Sequence, residues 1–253
     1  MSEVLFETKG VSKIFGLFKA VHDVDFSVLE NDAVGIIGPN GAGKTTFINI
    51  LTGEYFPEEG SVFFRGEDIT NLKSEKRVAK GIIRTFQLVH VFDSITVFDN
   101  IALSIYRKKE GTAFPLNLYT TVFRKNREIT ESAEKALEVF DLIKDRNQLV
   151  RNLSLGSQKR LEIAMAWAAD PEVFILDEPF AGISDHEIDD IIGILKKLVH
   201  KKTIIIVEHK LSKLTEIVDT LCVMHEGKMI ASGPCEETLN NPIVRKSYWK
   251  IED

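Results

Sequence analysis

The sequence predicts an α/β fold built on a parallel β-sheet, with an antiparallel β layer and an inserted helical lobe. Three continuously apolar runs predict the sheet, at residues 33–37, 173–176 and 203–207. Runs of four or five apolar residues suit strands that helices cover on both faces. Between the last two runs, apolar residues recur at helical spacing, at Ile188, Ile191, Ile192, Leu195 and Leu198. The order strand, helix, strand indicates parallel strands.

The antiparallel layer is predicted from two short stretches on the amino-terminal side. Residues 24–28 alternate between apolar and polar side chains, which is typical of a half-exposed strand, and residues 61–65 form a second short run. Near the carboxyl end, residues 222–233 indicate a hairpin that turns at Glu226–Gly227. After this hairpin we expect one closing helix that reaches Trp249.

A length of 253 residues suits one large α/β domain. We expect residues 1–87 and 159–253 to form the α/β core with its antiparallel layer. Residues 88–158 are expected to form the helical lobe, because most of that stretch has helical spacing around a loop-rich middle.

Composition excludes several classes of protein. A net charge of −6 argues against a dedicated nucleic-acid binder, so we expect no nucleic-acid partner. Two cysteines form no disulfide framework or zinc pattern, which indicates a reducing compartment. The amino terminus lacks a secretory signal pattern, and no apolar run approaches the roughly 20 residues of a membrane span. We therefore expect a soluble chain whose membrane role, if any, comes through a partner.

Residues 38–45, GPNGAGKT, fit the phosphate-binding pattern G-x-x-x-x-G-K-[ST] between a predicted strand and a predicted helix. In this loop backbone N–H groups surround a β-phosphate, and the helix amino terminus adds positive charge. Lys44 can bridge the β- and γ-phosphates, and the Thr45 hydroxyl can bind Mg²⁺. The fold is therefore predicted to be a P-loop NTPase of the RecA-like kind. The predicted nucleotide-binding residues here are Gly38, Pro39, Asn40, Gly41, Ala42, Gly43, Lys44, Thr45 and Thr46.

A second acidic motif follows the apolar run at 173–176. Asp177 and Glu178 come directly after it and before Pro179. Sites in parallel sheets form at the carboxyl ends of strands, so these carboxylates are expected beside the phosphate-binding loop. Asp177 is expected to hold Mg²⁺ through water, and Glu178 to activate the attacking water as a general base.

With these motifs in order, the chain resembles the nucleotide-binding subunit of an ATP-binding cassette (ABC) transporter over about residues 4–250. Gln87 matches the family's Q-loop glutamine, which contacts Mg²⁺ and the attacking water. His209 matches its switch histidine, which contacts the γ-phosphate. Phe15 matches the aromatic residue that stacks on adenine, with Val21 nearby.

Residues 152–160, NLSLGSQKR, fall where the family carries its signature, Leu-Ser-Gly-Gly-Gln. In the family the signature of one subunit closes over ATP bound by another. Ser154 and Gly156 are retained, whereas Leu155 replaces the first glycine and Ser157 replaces the glutamine. A helix is expected to follow, beginning at Ser157 and ending at Asp170–Pro171. Leu155 would cost roughly 1–2 kcal/mol if the loop needed a positive φ there, and nothing if φ is negative. We predict a working signature in which Ser154, Gly156 and Ser157 contact the partner's ATP.

A further departure is Ser184, which stands where the family has aspartate after the second acidic motif. Residues 184–187 fit the capping box S-x-x-E before the helix that contains Ile188. Serine can cap that helix as aspartate does.

The resemblance implies an ATPase that uses ATP and Mg²⁺ and works as a head-to-tail dimer with a second ABC ATPase subunit. The implied catalytic residues are Lys44, Gln87, Glu178 and His209, and the implied metal ligands are Thr45, Gln87 and, through water, Asp177. Transmembrane permease subunits are expected at a groove of the helical lobe near Gln87. A substrate-binding protein is expected as well. These partners imply a peripheral location on the cytoplasmic face of the inner or cell membrane.

Within the family, the stretches IIRTFQ, RLEIAMA and PFAGIS and the insertion at 107–128 resemble importers of branched-chain or hydrophobic amino acids. The basic insertion could touch the membrane or form a solvated loop, and the second is favoured. Importers of urea or amides and the ATPase of lipopolysaccharide export remain alternatives. So do a soluble ABC ATPase of iron–sulfur assembly and a regulator that binds ATP without turnover, although Glu178 and His209 argue against the last.

Overall fold

The computed structural model describes residues 3–110 and 126–249. These residues form two compact units. The first unit takes its residues from 1–83, 172–178 and 196–253, and the second from 84–171 and 179–195. The described part of the predicted lobe lies within the second unit.

The first unit contains an antiparallel sheet of four strands in the order β2-β1-β4-β5. These strands are β1 (Val4–Phe15), β2 (Phe18–Leu29), β4 (Glu59–Phe64) and β5 (Glu67–Asp68). The expected strands at 24–28 and 61–65 are therefore parts of β2 and β4. The register between β1 and β2 shifts four times, so strict alternation fails over much of both strands. This explains why the sequence pattern revealed only the end of β2.

The second sheet of this unit has the order β10-β9-β3-β8-β7-β6. Its strands are β3 (Ala33–Ile37), β6 (Ile82–Arg84), β7 (Val173–Asp177), β8 (Thr203–Val207), β9 (Thr220–His225) and β10 (Lys228–Pro234). Strand β3 pairs in parallel with β8 and β9, and β7 pairs in parallel with β8. Every residue of β3, β7 and β8 is buried. The predicted parallel core is confirmed.

The helices of the first unit are α1 (Lys44–Thr52), α2 (Ser74–Ala79), α7 (Leu211–Leu214), α8 (Cys235–Asn240) and α9 (Pro242–Trp249). The prediction of one closing helix is wrong, because α8 and α9 are separate. Asn241 between them has extended backbone, with φ −63° and ψ 126°. A residue before proline is disfavoured in the helical region, and Pro242 follows Asn241.

The second unit is helical. It contains α3 (Val97–Glu110), α4 (Arg127–Val139), α5 (Leu155–Ala168) and most of α6 (Asp185–Leu198), with 3₁₀ turns at Ile143–Asp145 and Val150–Asn152. Helices α3, α4 and α5 pack against one another. Of the basic insertion predicted at 107–128, residues 111–125 lie outside the described residues, including Arg124 and Lys125. Among the residues described, no helix has the length and apolar character that crossing a membrane requires.

Candidate active site

The phosphate-binding loop joins β3 to α1 and is tightly fitted to its neighbours. Gly41 and Gly43 have φ values of 80° and 96°, in the left-handed region that favours glycine. A Cβ added at Gly38 would lie 2.3 Å from Met224 O, and one at Gly43 would lie 2.3 Å from Ala20 O. Glycine is therefore required at both positions for close approach of the backbone.

The turn of the β9–β10 hairpin holds this loop in place. The backbone N–H of Gly227 donates to Ala42 O at 3.0 Å, and Gly227 O accepts from His22 N at 2.8 Å. Glu226 and Gly227 both have positive φ, at 48° and 78°. The turn predicted at these residues thus connects the loop to β2 through backbone hydrogen bonds.

Lys44 opens α1 and is only 6% exposed. Its Nζ donates to Gly38 O at 2.7 Å and to Pro39 O at 3.1 Å. Burial lowers the pKa of Lys44, and the nearby carboxylates of Glu178 and Asp177 partly oppose that shift. The ammonium group is therefore held at the loop by carbonyls that phosphate oxygens could replace.

The other predicted residues of the loop differ in exposure. Asn40, Gly41 and Thr45 are exposed, Pro39, Gly43 and Thr46 are half-buried, and Gly38 and Ala42 are buried. Because the Ala42 side chain is apolar and buried, this residue can offer a ligand only its backbone groups. Thr45 lies in the first turn of α1, where its hydroxyl is accessible.

The second acidic motif lies at the carboxyl end of β7. Asp177 is the last residue of the strand and is 4% exposed. Glu178 follows with φ 48°, and its N–H donates to Val207 O at 2.9 Å. A left-handed backbone costs a residue with a Cβ roughly 1–2 kcal/mol, and such strain is typical of functional sites. This conformation turns Glu178 out of the strand direction.

His209, just beyond β8, contacts this glutamate, with Nε2 3.0 Å from Glu178 Oε1. In this contact the His209 nitrogen can act as donor or acceptor, depending on the tautomer of the imidazole ring. The backbone at His209 is held by Glu208, whose Oε2 accepts from His209 N at 2.8 Å and from Lys210 N at 3.1 Å. Sequence reasoning gave Glu208 no role, although an acid placed directly between an apolar run and the histidine is a signal in the sequence. In the structure Glu208 is 3% exposed.

Phe15 and Val21, expected at the adenine, have different surroundings. Phe15 is 44% exposed, and its ring lies edge-on to Tyr55 with centroids 5.5 Å apart. Lys13 Nζ lies 5.5 Å from the Phe15 ring centroid. Val21 has no exposed surface and belongs to the hydrophobic core of the unit. Of these two residues, Phe15 alone presents a surface on which a base could stack.

In the second unit, Ser154 is the N-cap of α5, and its Oγ accepts from Ser157 N at 3.2 Å. The helix begins at Leu155, two residues before the expected start at Ser157. Leu155 therefore has helical backbone with negative φ, and its side chain is 48% exposed. The strain considered for a leucine at this position does not arise.

Glu187 also reaches the amino terminus of α5. Ser154 Oγ donates to Glu187 Oε1 at 3.2 Å, while Glu187 Oε2 accepts from Ser184 N at 3.0 Å and from Ser184 Oγ at 2.8 Å. The capping box predicted at Ser184 and Glu187 is confirmed. A Cβ at Gly156 would lie 2.2 Å from Glu187 Oε1. The capping pattern gave no signal that this carboxylate would touch the signature segment.

Gln87 lies in the second unit, in a segment with neither helix nor strand. Its side chain is exposed, and its carbonyl accepts from Lys159 Nζ at 3.1 Å. Lys159 and Glu162 of α5 both bind this segment, and sequence reasoning missed them. Their stretch indicates only a helix after the signature, because a helical pattern does not show which charged residues become buried.

The residues predicted for phosphate and water chemistry thus fall into two groups. In the first unit, Lys44, Asp177, Glu178 and His209 lie at the ends of neighbouring strands β3, β7 and β8. In the second unit, Ser154, Gly156 and Ser157 lie at the amino terminus of α5, and Gln87 lies in the segment that contacts Lys159 of the same helix.

Comparisons with known proteins agree with this geometry. The family described as "ABC transporter" matches residues 21–181. The chain is 38% identical over 252 residues to the high-affinity branched-chain amino acid transport ATP-binding protein BraF of Pseudomonas aeruginosa, covering 98% of both chains. It is 35% identical over 252 residues to LivG of Escherichia coli K12, which carries the same description, again with 98% of both covered.

Solved structures give the same result. The ADP conformation of MJ1267, an ATP-binding cassette of an ABC transporter, matches with a TM-score of 0.85 and 35% identity, over 99% of this chain and 100% of that one. A nucleotide-free cassette from an ABC transporter matches with a TM-score of 0.83 and the same identity and coverage. The P-loop NTPase fold is confirmed. The chain belongs to the ABC transporter family, as an ATP-binding cassette with the ATPase activity of that family.

Proposed function

We propose that this cassette is the energy-coupling subunit of an importer of branched-chain or other hydrophobic amino acids. The observation that carries the ATPase part is the contact of Glu178 with His209 at 3.0 Å, in the same unit as the phosphate-binding loop. The transport part is supported by BraF and LivG, both described as branched-chain amino acid transport ATP-binding proteins.

ATP would bind with its phosphates in the loop formed by residues 38–46. Backbone N–H groups and the amino terminus of α1 favour the negative charge, and Lys44 would exchange its two carbonyl partners for phosphate oxygens. Adenine would stack on the exposed ring of Phe15. The complete burial of Val21 argues against its direct contact with the base.

The residues present also suit Mg²⁺. The exposed hydroxyl of Thr45 and the carboxylate of Asp177 provide the hard oxygen ligands that this ion prefers, with Asp177 acting through water. We propose the Gln87 amide as a further ligand, as the family resemblance implies. When bound, Mg²⁺ neutralises phosphate charge in the transition state.

In hydrolysis, Glu178 would accept a proton from the water that attacks the γ-phosphorus, and the bond to the ADP oxygen would break. His209 holds the Glu178 carboxylate at 3.0 Å and would stabilise the developing phosphate charge. Ser154 of the partner subunit would donate from the other side, in a head-to-tail dimer with a second cassette.

Permease subunits would dock at the segment around Gln87. Phe86, Leu88 and Phe92 are 42%, 77% and 52% exposed, so the segment presents apolar surface for a partner helix. A substrate-binding protein would deliver the amino acid on the far side of the membrane. The cassette itself would then lie on the cytoplasmic face, and we propose no role in binding nucleic acid.

The test captures the partners directly. A tagged Glu178→Gln variant, which should bind ATP without hydrolysing it, is incubated with ATP and recovered from detergent-solubilised membranes of the host. We expect mass spectrometry to identify polytopic membrane subunits and a second cassette. Recovery of soluble companions alone would contradict the transporter function and favour an assembly factor. Phosphate release by the wild-type complex, compared with the variant, separately tests turnover.

A further inference from the structure

A buried ion pair on α5 contacts the segment that carries Gln87. Lys159 and Glu162 are 1% and 5% exposed, and Lys159 Nζ lies 3.2 Å from Glu162 Oε2. Three residues apart, they share one face of the helix. Burying both charges sacrifices hydration, so the pair is stable only where hydrogen bonds replace water.

The groups that replace water are backbone atoms of the Gln87 segment. Lys159 Nζ donates to Phe86 O at 2.9 Å and to Gln87 O at 3.1 Å. Glu162 Oε1 accepts from Phe86 N at 3.2 Å and from His90 N at 3.4 Å. The segment has no helix or strand of its own to satisfy these groups. Lys159 therefore binds backbone acceptors of the segment, and Glu162 binds backbone donors.

Side-chain burial does little to fix the same segment. Phe86, Gln87 and Leu88 are all exposed. The Phe86 ring contacts the exposed His90 at a centroid distance of 5.0 Å and the guanidinium of Arg84 at 5.2 Å. No large side chain is buried between residues 86 and 88, and the hydrogen bonds to Lys159 and Glu162 hold the backbone of Phe86, Gln87 and His90 against α5.

Helix α5 also carries Ser154 as its N-cap. Lys159 is five residues further along, which is about 7.5 Å along a helix axis. We propose that Lys159 and Glu162 are positioning residues for Gln87, which fix the Gln87 backbone to the helix that presents Ser154. A shift of Ser154 on the partner's ATP is thereby transmitted to Gln87. This inference rests on the roles proposed above for Gln87 and Ser154.

The experiment replaces the pair by apolar side chains of similar size, Lys159→Met with Glu162→Leu. Such replacements of buried ion pairs are often neutral for stability, so the loss of positioning can be separated from loss of fold. The control removes an exposed pair of the same charges, Lys196→Met with Glu216→Leu, whose ions lie 2.9 Å apart at 46% and 42% exposure. Hydrogen exchange is measured on the full chain, and hydrolysis on the complex recovered with it.

For the apolar pair we expect amide exchange in peptides covering residues 86–90 to rise at least about tenfold, because two amides lose their acceptor. Exchange in β3 and β8 should match wild type. We expect kcat to fall about tenfold with KM for ATP changed less than about twofold, since the phosphate-binding loop is untouched. The control pair should leave the exchange rate and kcat unchanged. The single variant Lys159→Arg keeps the hydrogen-bond donors, so it should retain most of the wild-type kcat.

A double-mutant cycle decides whether the pair acts through Gln87. In a Gln87→Ala background the apolar pair should cause no further fall in kcat, because its effect has already been lost. Full additivity, or wild-type exchange at residues 86–90, would overturn the inference. If Gln87→Ala alone leaves kcat unchanged, the inference fails while the ATPase function stands, since Glu178→Gln tests that function independently.

Discussion

His209 Nε2 lies 3.0 Å from Glu178 Oε1, which joins the residues that follow two neighbouring parallel strands. Strand β7 ends at Asp177 and β8 at Val207, and these two residues are register partners. Carboxyl ends of parallel strands meet at one edge of the sheet, so an acid after one strand and a histidine after the next are brought together by the topology. The left-handed backbone of Glu178 then turns its carboxylate toward the histidine.

Glu178→Gln is expected to lower the hydrolysis rate about 10²–10⁴-fold, the range for loss of a general base. The amide keeps the shape of the side chain, so affinity for ATP should stay within about threefold of wild type. Phosphate release by the recovered complex and equilibrium binding of ATP provide the two measurements. A variant that hydrolyses ATP at the wild-type rate would remove Glu178 from the mechanism.

Lys44→Met is expected to weaken ATP binding roughly 10–100-fold, because charge-assisted hydrogen bonds contribute about 1.5–3 kcal/mol. Titration calorimetry on the purified chain measures the change in Kd. Lys196→Met serves as the control, since that lysine lies in an exposed surface ion pair. Equal affinities for the wild type and Lys44→Met would show that Lys44 does not contact the phosphates.

The parallel sheet and the phosphate-binding loop could be predicted because their signals are local. A continuous apolar run reports burial on both faces, and a glycine pattern between strand and helix reports a backbone that must approach a phosphate. The hairpin at Glu226–Gly227 could also be predicted, because a glycine between two strand-like runs is a local signal for a tight turn. Both residues have the positive φ that such turns require.

The contacts of Glu162 and Glu187 could not be predicted, because they depend on residues distant in the chain. Glu162 accepts from Phe86, 76 residues away, and Glu187 accepts from Ser154, 33 residues away. From a helical pattern alone, a charged residue is assigned to the solvent-exposed face of the helix, because its partners are not known. The start of α5 at Leu155 was missed for a different reason: the capping signal of Ser154 is local, but the match to the signature was given precedence over it.

Leu155→Gly, which restores the family's usual residue, is expected to leave hydrolysis unchanged. Leu155 already has helical backbone, so glycine relieves no strain. Helix stability should fall by up to about 1 kcal/mol, the cost of glycine in a helix. The kcat of the recovered complex and urea unfolding of the chain measure the two effects. A marked increase in kcat would mean that the leucine side chain obstructs the signature.

Glu187 gives a pH-dependent contribution to stability. Hydrogen bonds from Ser184, and then from Ser154 and Gly156, lower the pKa of Glu187 from its usual 4.5. Because the folded-state pKa is the lower one, the carboxylate stabilises the fold above pH 4.5, and this stabilisation is lost as the pH falls through the folded-state pKa.

Glu187→Gln is therefore expected to reduce the unfolding free energy by about 1 kcal/mol at pH 7, because a neutral amide accepts the hydrogen bonds from Ser154 and Ser184 more weakly than a carboxylate does. The difference from wild type should narrow as urea denaturation is repeated below pH 4.5. Glu138→Gln removes the same charge from an exposed position of α4 and should change stability by less than about 0.5 kcal/mol at pH 7. A difference for Glu187→Gln that is independent of pH would exclude the ionised carboxylate as its source.

Arg77 is completely buried and binds backbone carbonyls near the carboxyl end of the phosphate-binding helix α1. Its guanidinium donates to carbonyls of Ile50, Leu51, Ile69, Thr70 and Leu72 at 2.6–3.1 Å. Burial lowers the pKa of Arg77 to about 10, so the group is charged at neutral pH. Positive charge at this end of α1 also complements the helix dipole.

Arg77→Met is expected to destabilise the chain by at least about 3 kcal/mol, because each buried carbonyl left without a donor costs roughly 1–3 kcal/mol. Arg65→Met is the matched control, since Arg65 binds Glu30 and Glu172 at 2.9 Å but is 43% exposed. Exposed ion pairs contribute about 0–1 kcal/mol, so this variant should stay near wild type. Urea unfolding of both variants measures the difference. Equal losses for Arg77→Met and Arg65→Met would show that the carbonyls around Arg77 find other donors, and that its position behind α1 does not determine stability.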